Sequence, residues 1–194
     1  MNGRDLYAAV THWHASPPDD AKTQETLRRL KEKWGYGDDQ YEDAVKRLAS
    51  DNEWRMSEAA VMTDYLDTVA PTGAYVVLLG DFNAEIGSPE IRRVTDKGHT
   101  DAWSRVSRLP GHTWDPVLNT NIKGFYLNDT EKRFDSLYEH LNSINEGTGK
   151  RIDFILLNKS LGAGKVMDAS VCFDRPYEGI HPSDHFGVFA VVAL

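Results

Sequence analysis

Tyr75-Val76-Val77-Leu78-Leu79-Gly80-Asp81-Phe82-Asn83 is the stretch on which the reading of this chain turns. Its five leading apolar residues predict a buried strand, and the Gly80-Asp81-Phe82-Asn83 tetrapeptide marks the point where that strand breaks into a loop. On an extended backbone side chains alternate with a period of two, so Asp81 and Asn83 are expected to present a carboxylate and a carboxamide on the same side. Strand exits are also where open α/β sheets keep their chemistry. Taken alone, the tetrapeptide reads equally well as an Asx turn that closes a strand.

Three further apolar runs end in the same kind of residue. Thr11-His12 closes Leu6-Tyr7-Ala8-Ala9-Val10, Arg151-Ile152-Asp153 opens Phe154-Ile155-Leu156-Leu157, and Ser183-Asp184-His185 precedes the run from Phe186 to Val192. A sheet that delivered these ends to a common edge would gather carboxylates and imidazoles suited to a divalent cation and to acid-base work.

Helical signals separate the strands. Asp20 is placed to cap a helix through Trp34 with Leu27 and Leu30 on one face. Asp39-x-x-Glu42 resembles a capping box that opens a second helix carrying Tyr41, Val45 and Leu48, and a third follows through Ala59, Met62, Leu66 and Val69. Ser88-Pro89 is a cap followed by proline at the first helical position, with Gly98 as the stop. The pattern predicts one α/β (α+β) domain over residues 1–194, a layered sandwich of mixed or largely antiparallel sheets flanked by helices. Two polar segments interrupt it, at about 16–54 and about 116–150. The second carries a helical face of Phe134, Leu137, Tyr138 and Leu141. Each segment reads as a solvated helical insertion or as a lip over a substrate.

The ordered series Thr-His, Gly-Asp-Phe-Asn, Arg-Ile-Asp-Phe-Ile and Ser-Asp-His, from Leu6 to Leu194, resembles the endonuclease/exonuclease/phosphatase superfamily of DNase I-like metal-dependent phosphoesterases. The resemblance implies hydrolysis of a phosphate ester by water. It casts Asp81 as the group that orients or deprotonates the water, with Asn83 on the phosphoryl oxygen or the same water. His185 binds or protonates the phosphoryl group and is held by Asp153, and His12 contacts the phosphate from the other side. Asp81 and Asp184 are implied as metal ligands, Trp114 as a substrate contact, and Mg²⁺ as the cofactor with Mn²⁺ as its substitute. Members of the family also carry an early Asn and a metal-binding Glu ahead of the Thr-His pair. Only five residues precede Leu6, so the fold is expected to be truncated at its amino terminus, with Asn2-Gly3 as the turn of a hairpin whose first strand lies before Met1. A different class of reading follows: a non-catalytic remnant or interaction module, completed by a second copy or a partner chain that supplies the missing sheet.

Composition sets broad limits. With 22 Lys plus Arg against 30 Asp plus Glu, the formal charge is -8 and no large basic surface is offered to nucleic acid, which tilts the substrate toward a small or lipid-derived ester. Nucleic acid, phospholipid and inositol phosphate all remain compatible with residues that recognise only phosphate and metal. The single Cys172 reads as a buried residue of a strand and permits no disulfide within the chain. No run approaches the ~20 apolar residues that cross a bilayer, and nothing marks a compartment. His12-Trp13-His14 has the spacing that opens some zinc-hydrolase sites, but Ala15-Ser16-Pro17 brings neither the Asp nor the third His. Asp101 reads as a helix cap, Trp103 as a core or lip aromatic, and Arg151 as the partner of a carboxylate.

Overall fold

A computed structural model of the chain describes residues 3–122, 134–144 and 148–194; residues 1–2, 123–133 and 145–147, with the sequence expectations that fall on them, lie outside the described residues. The larger of two sheets runs in the order β1 (Leu6–His12), β2 (Tyr75–Asp81), β4 (Asp153–Leu157), β3 (Thr100–Asp101). β1 lies parallel to β2, while β4 runs antiparallel to β2 and β3. The smaller sheet pairs β5 (Val166–Cys172) antiparallel with β6 (Gly187–Val192). Helices α1 (Ala21–Trp34) and α2 (Asp38–Val69) join β1 to β2; α3 (Pro89–Asp96), α4 (Ala102–Val106) and α5 (Leu137–Ser143) follow.

Strand parity sorts the core into layers. Val76 and Leu78 of β2 and Phe154 and Leu156 of β4 pack with Ala59 and Leu66 of α2 and Ile91 and Val94 of α3. The alternate residues Tyr75, Val77, Ile155 and Leu157 pack with Val166, Ala190 and Val192 of the smaller sheet. The larger sheet therefore has helices on one face and the β5–β6 pair on the other, the layered arrangement expected from the sequence. A separate cluster of Leu27, Leu30, Tyr36, Ala44, Leu48, Leu137, Tyr138 and Leu141 binds α1, α2 and α5 together.

Local signals act as their chemistry requires. Asp20 accepts the Thr23 amide at the start of α1, and Ser88 accepts the Ile91 amide ahead of Pro89 in α3. The expected second and third helices are instead one helix, α2, of 32 residues. Its cap is Gly37, whose N–H donates to the Gln40 carboxamide at 3.1 Å, rather than Asp39 with Glu42. No Gly or Pro stands between Asp38 and Val69, and the buried residues Ala44, Leu48, Arg55, Ala59, Thr63 and Leu66 form one continuous stripe, so nothing breaks the helix near Trp54.

Arg55 is the polar member of that stripe, only 2% exposed. Its Nε donates to Glu90 Oε1 at 2.8 Å, Nη1 to the Ser16 carbonyl and hydroxyl at 3.0 and 2.7 Å, and Nη2 to Asn52 Oδ1 at 2.7 Å. One guanidinium thus ties α2 to α3 and to the segment leaving β1. Cys172 ends β5 as expected but is half-buried, because the β5–β6 pair is covered on one side only.

Two stability outcomes follow. Arg55→Met should cost about 3–5 kcal/mol in urea unfolding by stranding Glu90, and adding Glu90→Leu should recover much of that loss. Gly80 has φ +137° and a Cβ there would stand 1.8 Å from the Thr11 carbonyl oxygen. Gly80→Ala should therefore destabilise by about 3 kcal/mol or more. Gly73→Ala, with φ +87° and open space around it, should cost only about 1 kcal/mol in the same assay.

Candidate functional site

Register brings the polar strand ends together. His12 pairs with Asp81 across the parallel β1–β2 ladder, and Asp81 pairs with Asp153 across the antiparallel β2–β4 ladder. The carboxyl ends of β1 and β2 thus meet the amino end of β4 in one row. Asp81 and Asp153 share strand parity with Val77 and Ile155, the residues that face the smaller sheet, and His185 arrives from that sheet immediately before β6.

The resulting group is tight. His185 Nδ1 lies 2.8 Å from Asp153 Oδ2, and His185 Nε2 lies 3.8 Å from Asp81 Oδ2. His12 Nε2 is 3.5 Å from the same Asp81 oxygen, with its ring largely in solvent. With Nδ1–H donating to Asp153, the imidazole is held in one tautomer and its Nε2 faces Asp81. Asp81, Asp153 and His185 each offer a ligand atom within 4.8 Å of the others. Asp184 stands outside this group: exposed, it accepts the Ser183 hydroxyl at 3.1 Å and lends its charge to the neighbourhood of His185.

Asn83 reaches the site by a route that strand parity does not describe. β2 ends at Asp81, and Asn83 sits in the left-handed region with φ +46°. The Asx turn and the polar claw are the same structure. Asp81 Oδ1 accepts the Asn83 amide at 2.8 Å, while Asn83 Nδ2 donates to the Trp13 carbonyl at 2.8 Å and to Asp81 Oδ2 at 3.3 Å. Asn83 therefore locks the Asp81 carboxylate and ties the end of β1 to the end of β2.

Burial raises the Asp81 pKa, and the Asp153 carboxylate opposite adds to that rise, against the Asn83 amide and the two imidazoles, which lower it. Burial alone would lower the His185 pKa; the hydrogen bond to Asp153 and the charges of Asp153, Asp81 and Asp184 outweigh it, and the net shift is upward. Two half-buried carboxylates converging on one space form an excess of negative charge, and with the His185 imidazole they could hold a metal ion.

A residue that the sequence did not single out holds the frame. Thr113 is fully buried; its hydroxyl accepts the amides of Ile152 and Asp153, both at 3.2 Å, and its carbonyl accepts the Phe186 amide at 2.6 Å. One threonine thus fixes the amino end of β4 against the residue after His185. Trp114 follows it, bridged to Lys150 with the ammonium 5.3 Å from the ring centroid. Arg151 pairs with the buried Asp101 at 2.8 Å and covers the Phe154 ring, and Asp101 also caps α4 by accepting the Ser104 amide. The His12-Trp13-His14 spacing splits apart: Trp13 is buried edge-on to Phe82, and His14 stacks on Trp54 with Nε2 3.2 Å from Asp51.

Two hollows among the described residues bear on where a substrate could sit. One of about 330 Å³ is lined by Asp153 and His185 themselves. The larger, of about 460 Å³ between α2 and α3, is bordered by Met56, Arg92 and Lys97 and includes none of the clustered residues, so the smaller one is the candidate for substrate.

The fold is similar to that of truncated TDP2 from Caenorhabditis elegans, with a TM-score of 0.58 at 18% identity over 100% of this chain and 56% of that one. It is also similar to beta toxin from Staphylococcus aureus, with a TM-score of 0.56 at 19% identity over 100% of this chain and 54% of that one. At such identities the likeness speaks for the fold, and the chain spans about half the length of these structures. Among curated proteins no match was found. Residues 11–185, from the Thr-His pair to the Ser-Asp-His motif, match the Endonuclease/Exonuclease/phosphatase family, and this chain belongs to it.

Proposed function

We propose that the chain hydrolyses phosphate esters in a reaction that depends on a divalent cation. The observation that carries this reading is the convergence of Asp81, Asp153 and His185 within 4.8 Å at the edge of a recess. Mg²⁺ or Mn²⁺, held through Asp81 with Asp153 beside it, would supply charge relief for the phosphoryl oxygens. Asp81, with its carboxylate fixed by Asn83, orients the attacking water and takes its proton. His185, steered by Asp153, holds a proton at Nε2 and gives it to the phosphoryl group as the P–O bond to the alcohol breaks, so that the alcohol leaves protonated, in the manner of an Asp–His dyad. His12 contacts the phosphate from the β1 side, and Asn83, its Nδ2 engaged by the Trp13 carbonyl and Asp81, leaves its carboxamide oxygen to accept from the water. Trp114, next to Thr113, is the proposed contact for the rest of the substrate. Asp184, outside the cluster, acts through its charge in place of the ligand role implied by resemblance.

A second reading has its own observation. Among the described residues β1 is an edge strand with Val10 80% exposed, and Met167, Phe189 and Val191 of the two-stranded sheet are also exposed. Such surfaces suit a further layer or partner chain, as an interaction module would require. Equilibrium sedimentation decides: a monomer that hydrolyses substrate excludes it, and an inactive dimer supports it.

For the hydrolase reading, Asp81→Ala, Asp153→Ala and His185→Ala should each lower Mg²⁺-dependent release of p-nitrophenol from bis(p-nitrophenyl) phosphate by on the order of 10³-fold with the fold intact. Asp184→Asn should lose far less. Chelation should abolish turnover and either Mg²⁺ or Mn²⁺ should restore it; full activity in chelator sinks the cation's role. Thr113→Val should lower turnover by about 10–100-fold, with Thr113→Ser restoring most of it, because the hydroxyl that valine lacks accepts the Asp153 amide.

A further inference from the structure

The recess beside His185 has a mixed lining of polar and apolar residues. Asp153, Ser183 and His185 supply its polar lining, while Phe173, Pro182, Phe186 and Gly187 supply the rest, around an open hollow of about 330 Å³. An apolar cavity of roughly 150 Å³ already accepts a benzene ring, so the space is ample for an organic group larger than methyl. Neither Lys nor Arg is among the described residues that line it, and the chain carries a formal charge of -8, so these residues offer a continuing polyanion no counter-charge.

The apolar wall is held in place at a conformational cost. Phe173 adopts φ +59°, a region that a bulky side chain rarely enters, and its side chain is left largely in solvent at 66% exposure. Its ring lies against Gly187 of β6, where a Cβ would come 2.9 Å from the ring carbon Cδ2 and 2.8 Å from Cys172 Sγ. The Pro182–Ser183 part of the lining is anchored by hydrogen bonds. His181, 2% exposed, meets the Thr120 amide at 3.1 Å and hydroxyl at 2.9 Å through Nδ1; Asn121 Nδ2 donates to the His181 carbonyl at 2.9 Å and the buried Asn119 donates to the Ser183 carbonyl at 3.0 Å. This network fixes Pro182 and Ser183 beside His185, and Phe186 packs on the His181 ring at 5.4 Å.

We propose that this recess receives an apolar organic group carried directly on the phosphate of the substrate, with Phe173 as its specificity-determining contact and Asp153 and His185 facing the phosphorus. The inference rests on the phosphate-ester reading and narrows its substrate class: esters of apolar alcohols are taken in preference to polynucleotides. Phe173 in an exposed, unfavourable backbone conformation over a glycine suits a face kept open for a ligand ring or chain.

The test is calorimetric binding of methylphosphonate, n-butylphosphonate and phenylphosphonate to the full chain with Mg²⁺ present, which needs no turnover. The wild-type chain should bind the two larger probes about tenfold more tightly than methylphosphonate. In Phe173→Gly, which suits φ +59°, the ratio should fall toward one; Phe173→Asn, also tolerant of positive φ, is read the same way if the glycine variant does not fold. Equal affinity for all three probes in the wild type, or a ratio that survives both substitutions, overturns the inference while leaving the hydrolase reading standing. If none of the probes binds and no ester is hydrolysed, the phosphate-ester reading fails and the inference fails with it.

Discussion

The antiparallel register of β2 against β4, which sets Asp81 opposite Asp153, is the constraint on which the site depends. Like charges placed across a ladder repel, and these two are half-buried as well. A slip of one residue would relieve the repulsion, but it would turn every side chain of β4 to the wrong face and take Phe154 and Leu156 out of the helix-side core. Apolar packing therefore holds two carboxylates where electrostatics alone would not. The surrounding groups offset the repulsion: the Asn83 amide on Asp81, the His185 imidazole on Asp153, and the His12 ring on the open side.

The frame around this pair is built from residues with no chemistry of their own. Thr113 joins the start of β4 to the start of β6, and so couples the two sheets at the point where Asp153 and His185 meet. Arg55 does the corresponding work on the helical side, where four partners surround one buried guanidinium and fix α2 against α3. Gly80 lets the ends of β1 and β2 approach so closely that no side chain fits between them, and this closeness lets Asn83 reach the Trp13 carbonyl. A rigid floor of this kind is what places a carboxylate and an imidazole to within hydrogen-bonding tolerance.

The two faces of the larger sheet are unequally covered. Helices close the face that carries Val76 and Leu78, whereas β5 and β6 cover the other face over β2 and β4 and leave the outward residues of β1, Leu6 and Val10, in solvent. The same inequality leaves the row His12, Asp81, Asp153 accessible from the side of the smaller sheet, where the recess opens.

Much of this was legible in the residues themselves. The four apolar runs became strands β1, β2, β4 and β6, and Asp20, Ser88 and Asp101 cap helices because short-range hydrogen bonds from a side chain to a nearby amide need no distant partner. Family membership was legible for the same reason: its motifs are local words at strand ends. Periodicity alone did not show that the stretch from Asp38 to Val69 is a single helix, since local capping patterns compete and the continuous buried stripe is decided by what packs against it. The conformation of Asn83, the exclusion of Asp184 from the cluster and the role of Thr113 were decided only by the tertiary structure. Each depends on contacts between segments tens of residues apart, Asn83 with Trp13 and Thr113 with Asp153 and Phe186, and such contacts exist only after the strands have chosen their neighbours. The sequence by itself determined which residue types stand at the strand ends; the folded sheet order determined which of those ends share one space, because register and parity are properties of paired strands and not of any one of them.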